Sequence, residues 1–375
     1  RTWVQDHVAR SIREDGSQGR MLLLESMVRD LVREIRYVGL EFGVHGVVPY
    51  RTDQVWSRRF GDCKDQALLM AVLLEEAGFD AEVTLVRTAS QGRLTDPLPS
   101  LTFFDHAVVY LSDLGLYVDP TARYFGLGTL PPADQGAQVL RVGGDSTSSL
   151  TLIPMDTSSK NRVAGDYTIV VDGAGQSEVS GSVVFHGTLA ANRRALLQDQ
   201  GAREHRVELM LNQRYTGLTM TSYELEHLED RDRPLSLSFS GKSPWIAKRD
   251  GGLLQVVSPV GLSESAPHLA SLRGRRTDLV LGVPAAVRSR TRYLVPSDWR
   301  PSQIPAGGEE ESAFGSWSVH WWEEPGAVVV DARLVYEAAR ISPEHYPQFR
   351  AFLRRLDEHL REPLIWEPTQ GEVQP

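Results

Sequence analysis

The chain has 375 residues, of which 41% are hydrophobic, and a formal net charge of −9 at neutral pH. This length is enough for two domains or one large one. The negative charge argues against nucleic acid as an obligate partner. No basic block stands out beyond short runs such as Arg273–Arg276. No apolar run reaches the length of a membrane span, so we expect none in this fragment.

The N-terminal 37 residues are predicted to be helical, with a break near Asp15–Ser17. Apolar residues recur there at three-and-four spacing with charges between them, which is typical of one buried helix face. A short strand over 37–42, a loop over 43–49 and a short helix over 52–60 are predicted to follow. Because the chain opens at Arg1 rather than Met, we expect a fragment or a processed product.

The only cysteine, Cys63, stands at the predicted start of an unusually apolar helix. Residues 68–74 are apolar on every side, which indicates a helix buried in the middle of a domain. Asp62 is the expected N-cap, Asp65 completes an acidic capping box, and Gly78 is the expected C-cap after Ala77. The start of a helix favours the thiolate form of cysteine, although a lone cysteine is also commonly a buried structural residue.

Three strands are predicted after this helix, over 80–88, 103–111 and 116–119, with a loop over 89–101. The last two are close enough to form an antiparallel hairpin. With an even number of loop residues, His106 and Asp119 project from the same face. They face each other directly if Tyr110 pairs with Gly115, and a carboxylate could then orient an imidazole.

The fold class predicted is α+β, in which a central buried helix packs on an antiparallel sheet. A loop-like stretch ends near Ser158–Arg162, so we expect domains at 1–160 and 161–375. The second is predicted to be mostly antiparallel and β-sandwich-like, with helical insertions over 190–214 and a C-terminal helix over 342–360. Its predicted strands are 167–171, 178–185, 218–227, 235–240, 253–258, 278–282, 315–323 and 326–338.

Thiol chemistry on a carbonyl needs a thiolate, an imidazole that exchanges a proton, and a group that fixes the imidazole's tautomer. Cys63, His106 and Asp119 offer these types on a helix start and two adjacent strands. The backbone N–H of Cys63 is the expected oxyanion donor. Candidates for a second donor or a substrate contact are Gln54, Trp56 and His45, although His45 in its glycine-rich loop also fits a solvated residue.

Three motifs, Gly61–Asp65, Phe104–Val109 and Tyr117–Thr121, resemble those of the transglutaminase-like core, in the same order and at typical separations. That core belongs to the papain-like group of Cys-His-Asp folds. The match is closest to bacterial multidomain proteins in which the core lies between β-domains of unknown function. It covers roughly residues 20–155, and it departs from the family pattern at Asp105, where Asn is expected.

The resemblance implies that Cys63 is the nucleophile, His106 the acid/base and Asp119 the orienting carboxylate. The implied reaction is attack on a peptide or protein carboxamide to give a thioester, followed by transfer to an amine or to water. A periplasmic or secreted location is implied as well. Two alternatives stay open, a catalytically silent scaffold that binds a protein or envelope partner, and acyl transfer from a thioester donor. No cofactor is expected.

No metal site is predicted, because the remaining histidines lack metal-ligand spacing and no calcium-binding loop is visible. The oligomeric state is not readable from the sequence.

Overall fold

A computed structural model of the protein describes residues 2–11, 16–39, 42–94, 100–142, 150–256, 262 and 265–369. The chain divides into two compact units, Arg1–Met155 and Asp156–Pro375. Both contain helices and largely antiparallel sheets, so the α+β prediction is confirmed. Within the described residues, no helix is both long and apolar enough to cross a membrane.

The helices of the first unit gather on one apolar core. They are α1 (Thr2–Ser11), α2 (Gly16–Glu34), α3 (Thr52–Arg58) and α4 (Cys63–Glu76). The predicted apolar face of α2 is buried, from Leu24 through Leu31 to Val32. Of the predicted break near Asp15–Ser17, Asp15 lies outside the described residues, whereas Gly16 and Ser17 are the first residues of α2.

Helix α4 runs through this core, as its sequence predicts. Leu69, Met70 and Leu74 are almost completely buried, and the same apolar core includes residues of the sheet of this unit. Ala77 is the C-cap, and Gly78 follows it with a φ of 88°, a left-handed conformation that favours glycine. The C-cap of α4 therefore lies one residue before the predicted C-cap, Gly78.

The sheet of the first unit is antiparallel and has the strand order β5-β4-β3-β6-β7. The strands of this unit are β1 (Arg36–Tyr37), β2 (Phe60–Gly61), β3 (Ala81–Arg87), β4 (His106–Leu111), β5 (Leu116–Val118), β6 (Gln138–Val142) and β7 (Thr151–Leu152). Strands β1 and β2 form a separate parallel pair just before α4. Strand β4 thus lies between β5 and β3, which fixes both neighbours of His106.

The hairpin register differs from the prediction by two residues. Tyr110 pairs with Tyr117 and Leu111 with Leu116, so residues 112–115 form the loop. Gly115 belongs to that turn because its φ is 65°. A shift of two residues preserves the face of each side chain, so His106 and Asp119 are diagonal rather than directly opposed. Direct opposition was wrong, whereas the even loop length is confirmed.

The second unit is built on an eight-stranded sheet and a four-stranded sheet. Its strands are β8 (Arg162–Val171), β9 (Ser177–Phe185), β10 (Thr219–Glu226), β11 (Leu235–Ser243), β12 (Ala247–Asp250), β13 (Leu253–Val256), β14 (Leu279–Val280), β15 (Ala285–Leu294), β16 (Trp299–Gln303), β17 (Gly308–Ser312), β18 (Gly315–Glu324), β19 (Ala327–Tyr336), β20 (Arg340–Ile341) and β21 (Leu364–Pro368). The larger sheet has the order β10-β11-β9-β8-β15-β19-β18-β17, and the smaller has the order β12-β13-β21-β16. The pair β8–β15 is parallel and the others are antiparallel.

Helices cover part of this β structure. They are α5 (Gly187–Leu197), α6 (Arg203–Arg214), α7 (Ser265–Leu269) and α8 (Tyr346–Arg361). The predicted apolar face of α8 is buried, with Tyr346, Phe349 and Phe352 among the most enclosed side chains of the unit. The hairpin around Asp172 and the two helices after it are also confirmed. The central strand β15 was not predicted.

Candidate active site

Cys63 is the first residue of α4, and the start of this helix is capped on both sides. The side chain of Asp62 accepts a hydrogen bond from the backbone N–H of Asp65 (3.2 Å), and that of Asp65 accepts one from the N–H of Asp62 (3.4 Å). Lys64 forms an ion pair with Asp62. The predicted capping box is therefore confirmed, and Cys63 is a half-buried free thiol in the first helical turn.

A second ring of contacts fixes Asp65 and with it the helix start. Arg58 donates to Asp65 Oδ2 (2.8 Å), and the backbone N–H of Tyr50 donates to Oδ1 (2.8 Å). A side chain on Gly61 would lie 2.6 Å from the Cβ of Asp65, so this position needs glycine. The segment before Cys63 is thus held by both oxygens of one buried carboxylate.

His106 is the first residue of β4, and its ring contacts the other two predicted triad residues. Its Nε2 lies 3.3 Å from Asp119 Oδ2, and the side chain of Cys63 is close enough to affect the pKa of the ring. Burial alone would lower the pKa of His106. The interactions with Asp119 and Cys63 and the negative charges of Asp119 and Asp134 outweigh burial and raise this pKa to about 11.

Asp119 follows β5 and is almost completely buried. Its Oδ1 accepts two hydrogen bonds from Thr121, one from the backbone N–H (2.8 Å) and one from the hydroxyl (2.7 Å). With Oδ1 occupied, Oδ2 is the oxygen that faces the imidazole of His106. An imidazolium held in this way is a suitable counter-ion for a thiolate and a suitable acid for a leaving amine.

Asp134 is a fourth ionisable residue of the site, and the sequence analysis missed it. One oxygen of Asp134, one of Asp119 and one ring nitrogen of His106 all lie within 4.8 Å of one another. Asp134 is 1% exposed, and its Oδ2 has no hydrogen-bond partner. It lies in a segment rich in proline, glycine and alanine, where no strand or helix pattern indicates which way a side chain points.

A cavity of about 440 Å³ lies beside these acidic groups. His106, Asp119 and Asp134 contribute to its wall, and Cys63 is not among the described residues that line it. The cavity therefore lies on the carboxylate side of the imidazole. Its other lining residues are Thr88, Asp105, Thr121, Ala122, Arg123, Tyr124, Phe125, Pro131 and Ala133.

The cluster consists of residue types that bind divalent metals, namely His106, Asp119 and Asp134. The protonation of His106 disfavours metal binding. A histidine must be neutral to bind a metal. With a pKa raised to about 11, the ring of His106 would have to give up a strongly held proton at neutral pH. The arrangement therefore fits an acid–base cluster better than a metal centre.

The candidates for a second oxyanion donor or a substrate contact lie in the segments before Cys63. Gln54 is exposed on α3, and Trp56 packs against Trp3 (ring centroids 5.7 Å apart) with the Arg59 guanidinium over its ring. His45 stacks on Tyr50 at 3.5 Å between ring centroids. None of these three predicted residues lines the cavity beside His106.

Asp105 stands where the family pattern has Asn, and both oxygens of its carboxylate accept hydrogen bonds from Thr88. The backbone N–H of Thr88 donates to Oδ1 (2.8 Å) and its hydroxyl donates to Oδ2 (2.6 Å). Partial burial acts to raise the pKa of Asp105, but these bonds lower it overall. Its carboxylate thus ties the end of β3 to the start of β4.

Comparisons with known proteins include a match to a family and a similar solved structure. A family described as "Domain of Unknown Function with solved-structure structure (DUF3858)" matches residues 255–366, which lie in the second unit. No curated protein matches the chain.

The similar structure is a crystal structure of a protein from Parabacteroides distasonis that is described there as "a putative protease". It superposes with a TM-score of 0.55 at 10% sequence identity. The match covers 97% of this chain and 55% of the other, so the chain spans about half the length of that neighbour. The likeness shows a shared fold.

Proposed function

We propose that the first unit is a transglutaminase-like, papain-like core that cleaves or transfers acyl groups from peptide or protein carboxamides. In this proposal Cys63 is the nucleophile, His106 the acid/base and Asp119 the orienting carboxylate. The observation that carries it is the position of His106, with its Nε2 3.3 Å from Asp119 Oδ2 and its ring close enough to Cys63 for the thiol side chain to affect its pKa. Three ordered sequence motifs support the same assignment.

The proposed reaction has two halves. The thiolate of Cys63 attacks the carboxamide carbon, and the backbone N–H groups of the first turn of α4 stabilise the oxyanion. The C–N bond then breaks as the His106 imidazolium gives its proton to the leaving amine, which leaves a thioester on Cys63. Water or an amine attacks that thioester, His106 accepts its proton, and the thiolate is released.

The second nucleophile must reach the thioester on Cys63 and give its proton to His106. The description of the Parabacteroides distasonis neighbour agrees with water as the acceptor, and hence with peptidase-like hydrolysis. Transfer to an amine is the second candidate, as the resemblance to the transglutaminase-like core implies.

Alkylation of Cys63 by iodoacetamide tests the proposal without a known substrate, because the chain has one cysteine. An ion-paired thiolate should react at a nearly constant rate between pH 6 and 8. An ordinary thiol is only about 1% ionised at pH 6.5, although each thiolate is then more nucleophilic. We therefore expect His106→Ala to react about tenfold more slowly at pH 6.5 and to speed up steeply as the pH rises.

The matched control is His320→Ala, which removes an exposed histidine of the second unit and should leave the alkylation profile unchanged. If His106→Ala alkylates at the wild-type rate across this pH range, the imidazole does not control the thiol. The proposal then fails and the silent-scaffold alternative is favoured.

A panel of acyl donors separates the remaining chemistries. Peptide carboxamides, peptide anilides and a thioester donor would each be offered with and without a primary amine. Release of free acid from peptides identifies a hydrolase, while an amine-dependent product identifies a transferase. Turnover of the thioester alone would replace the carboxamide proposal with the thioester-donor alternative.

A further inference from the structure

The backbone around Asp134 fixes the direction of its side chain. The N–H of Asp134 donates to the carbonyl of Pro131 (3.0 Å), and the carbonyl of Asp134 accepts from the N–H of Ala137 (3.1 Å). The carbonyl of the preceding residue, Ala133, accepts from the N–H of Ala89 (2.7 Å), just beyond β3. The loop is therefore attached to the same end of the sheet at which β4 begins with His106.

The carboxyl group of Asp134 is buried and incompletely bonded. One of its oxygens lies within 4.8 Å of a carboxylate oxygen of Asp119 and of a ring nitrogen of His106, and its Oδ2 accepts no hydrogen bond. An ionised carboxylate is costly to bury without partners, whereas a protonated one can donate its O–H to a neighbouring carboxylate. The second arrangement satisfies both carboxyl groups with one proton.

The charges that face Asp134 favour that arrangement. The negative charge of Asp119 and, with a smaller effect, that of Asp105 act on Asp134. The His106 imidazolium already has Asp119 and Cys63 as partners. Arg123, the other charged residue on the cavity wall, is exposed to solvent. Burial, followed by the negative charge of Asp119, raises the pKa of Asp134 to about 7 against the opposing effect of His106.

We propose that Asp134 is a positioning residue that carries a proton in the working enzyme and donates it in a hydrogen bond to Asp119. This deepens the function proposed above and rests on it, because the bond holds Asp119 against His106. It also limits the cluster to one negative carboxylate next to the imidazole. When Asp134 ionises, its proton goes to solvent and a second negative charge faces the ring.

The direction of the effect on chemistry follows from that charge. A second carboxylate makes His106 hold its proton more tightly, which offsets the gain in neutral imidazole that a rising pH otherwise brings during thioester breakdown. The deacylation rate of Cys63 should therefore rise with pH below about 7 and level off above it. Asparagine at position 134 cannot ionise and should abolish this plateau.

The kinetic test uses p-nitrophenyl acetate as the acylating probe and mass spectrometry to follow the acetyl group on Cys63. We expect the wild-type deacetylation rate to rise less than about threefold between pH 7.5 and 8.5, and that of Asp134→Asn to rise about tenfold over the same range. Asp105→Asn is the matched control, because Asp105 lines the same cavity but its pKa is lowered, so it should keep the plateau. An unchanged plateau in Asp134→Asn overturns the proposal.

A second measurement does not depend on catalysis. A group whose pKa is raised from 3.8 to about 7 binds more protons in the folded state, so its contribution to stability falls as the pH rises between those values. About three pKa units correspond to roughly a thousandfold in the unfolding equilibrium constant. About two of these units fall between pH 5 and 8, so Asp134→Asn should gain roughly a hundredfold on wild type in this window.

Unfolding of the first unit can be followed in urea by hydrogen exchange of peptides from α4, with wild type and variant compared at the same pH. Asp105→Asn should show no gain in this window, since its carboxyl titrates below it. An equal stability difference at pH 5 and pH 8 for Asp134→Asn overturns the proton assignment. If the gain appears but Cys63 is never acetylated, Asp134 carries the proton and the proposed function fails.

Discussion

Asp134 in the first unit and Asp357 in the second are two buried aspartates that the fold treats in opposite ways. Asp357 is 2% exposed, and its two oxygens accept hydrogen bonds from the backbone N–H groups of Ser265 (2.7 Å) and Ala266 (3.0 Å). Asp134 is 1% exposed, and its Oδ2 accepts none. Burial alone therefore does not distinguish a structural carboxyl group from one available for proton chemistry.

The same contrast extends to the groups around each residue. Asp357 caps the start of α7 and is part of the framework of the second unit. Asp134 faces a second carboxylate and an imidazole whose pKa is raised to about 11. Perturbed ionisable groups gathered at a cavity are typical of functional sites. The comparison therefore favours the first unit as the place of the proposed chemistry, and four tests can break or sharpen it.

The largest expected effect is that of Asp119→Asn on thioester chemistry. The amide cannot stabilise the imidazolium, so we expect turnover of whichever acyl donor proves active to fall by about 10³ to 10⁴. The first unit should remain folded, because Thr121 can still donate to the amide oxygen. The measurement is the rate of product release against Asp105→Asn, for which a loss of less than tenfold is expected. Equal losses in both variants would contradict a special role for Asp119.

His106 should make the stability of the first unit fall at alkaline pH. Its pKa is raised from 6.5 to about 11, so its contribution is fully present below pH 6.5 and is lost as the pH rises through 11. Between pH 7 and 10 the free energy of unfolding of wild type should therefore fall by about 4 kcal/mol through this group. His106→Ala lacks the group and should not show this fall. Urea unfolding followed by hydrogen exchange in α4 measures it. Parallel pH dependence in wild type and variant would contradict the raised pKa.

Asp357→Ala should destabilise the second unit by about 2 to 4 kcal/mol, because two buried N–H groups at the start of α7 lose their acceptor. Tryptophan fluorescence in urea reports this unit, which holds most of the tryptophans. Glu358→Ala, at the exposed neighbouring position of α8, is the control and should change the free energy of unfolding by less than about 0.5 kcal/mol. A similar small loss in Asp357→Ala would show that this carboxylate is not structural.

The smallest effect is expected for the exposed ion pair of Arg288 and Asp331 in the second unit. Arg288 donates two hydrogen bonds to Asp331, but its side chain is 49% exposed. Such a pair contributes about 0.2 to 1 kcal/mol. A double-mutant cycle with Arg288→Ala and Asp331→Ala gives the coupling energy. A value above about 2 kcal/mol would mean that surface charges stabilise this unit as strongly as buried ones.

The sequence predicts those parts of the fold in which an apolar pattern and a cap agree. Helix α4 has an apolar run and the Asp62–Asp65 capping box, so its ends were predicted nearly correctly. Helix α8 has a single apolar face and was predicted as a helix with a nearly correct C-terminal end, but it begins at Tyr346 rather than at residue 342. Strand β15 was not, because it buries Ser289, Thr291 and Tyr293 and exposes arginines between them. Its alternation is polar on both faces, and only its central place in the sheet makes it a core strand.

The candidate site follows the same division. Cys63, His106 and Asp119 were predicted because each lies on or next to a regular element, where periodicity indicates the direction of a side chain. The turn over residues 112–115 agrees with the predicted strand ends, but the pairing of Tyr110 with Gly115, which would need a turn that begins at residue 111, is not observed. Asp134 lies on a loop, and its direction is set by the long-range bond between Ala89 and Ala133, which leaves no local pattern in the sequence.

The most direct test of the account is the protonation state of the His106 ring, followed by ¹⁵N nuclear magnetic resonance as a function of pH. The signal is assigned by its absence in His106→Ala. We expect both ring nitrogens to stay protonated through pH 9. If the ring of His106 instead loses a proton near the value of an ordinary histidine, about 6.5, the imidazolium at the centre of the proposed mechanism does not exist.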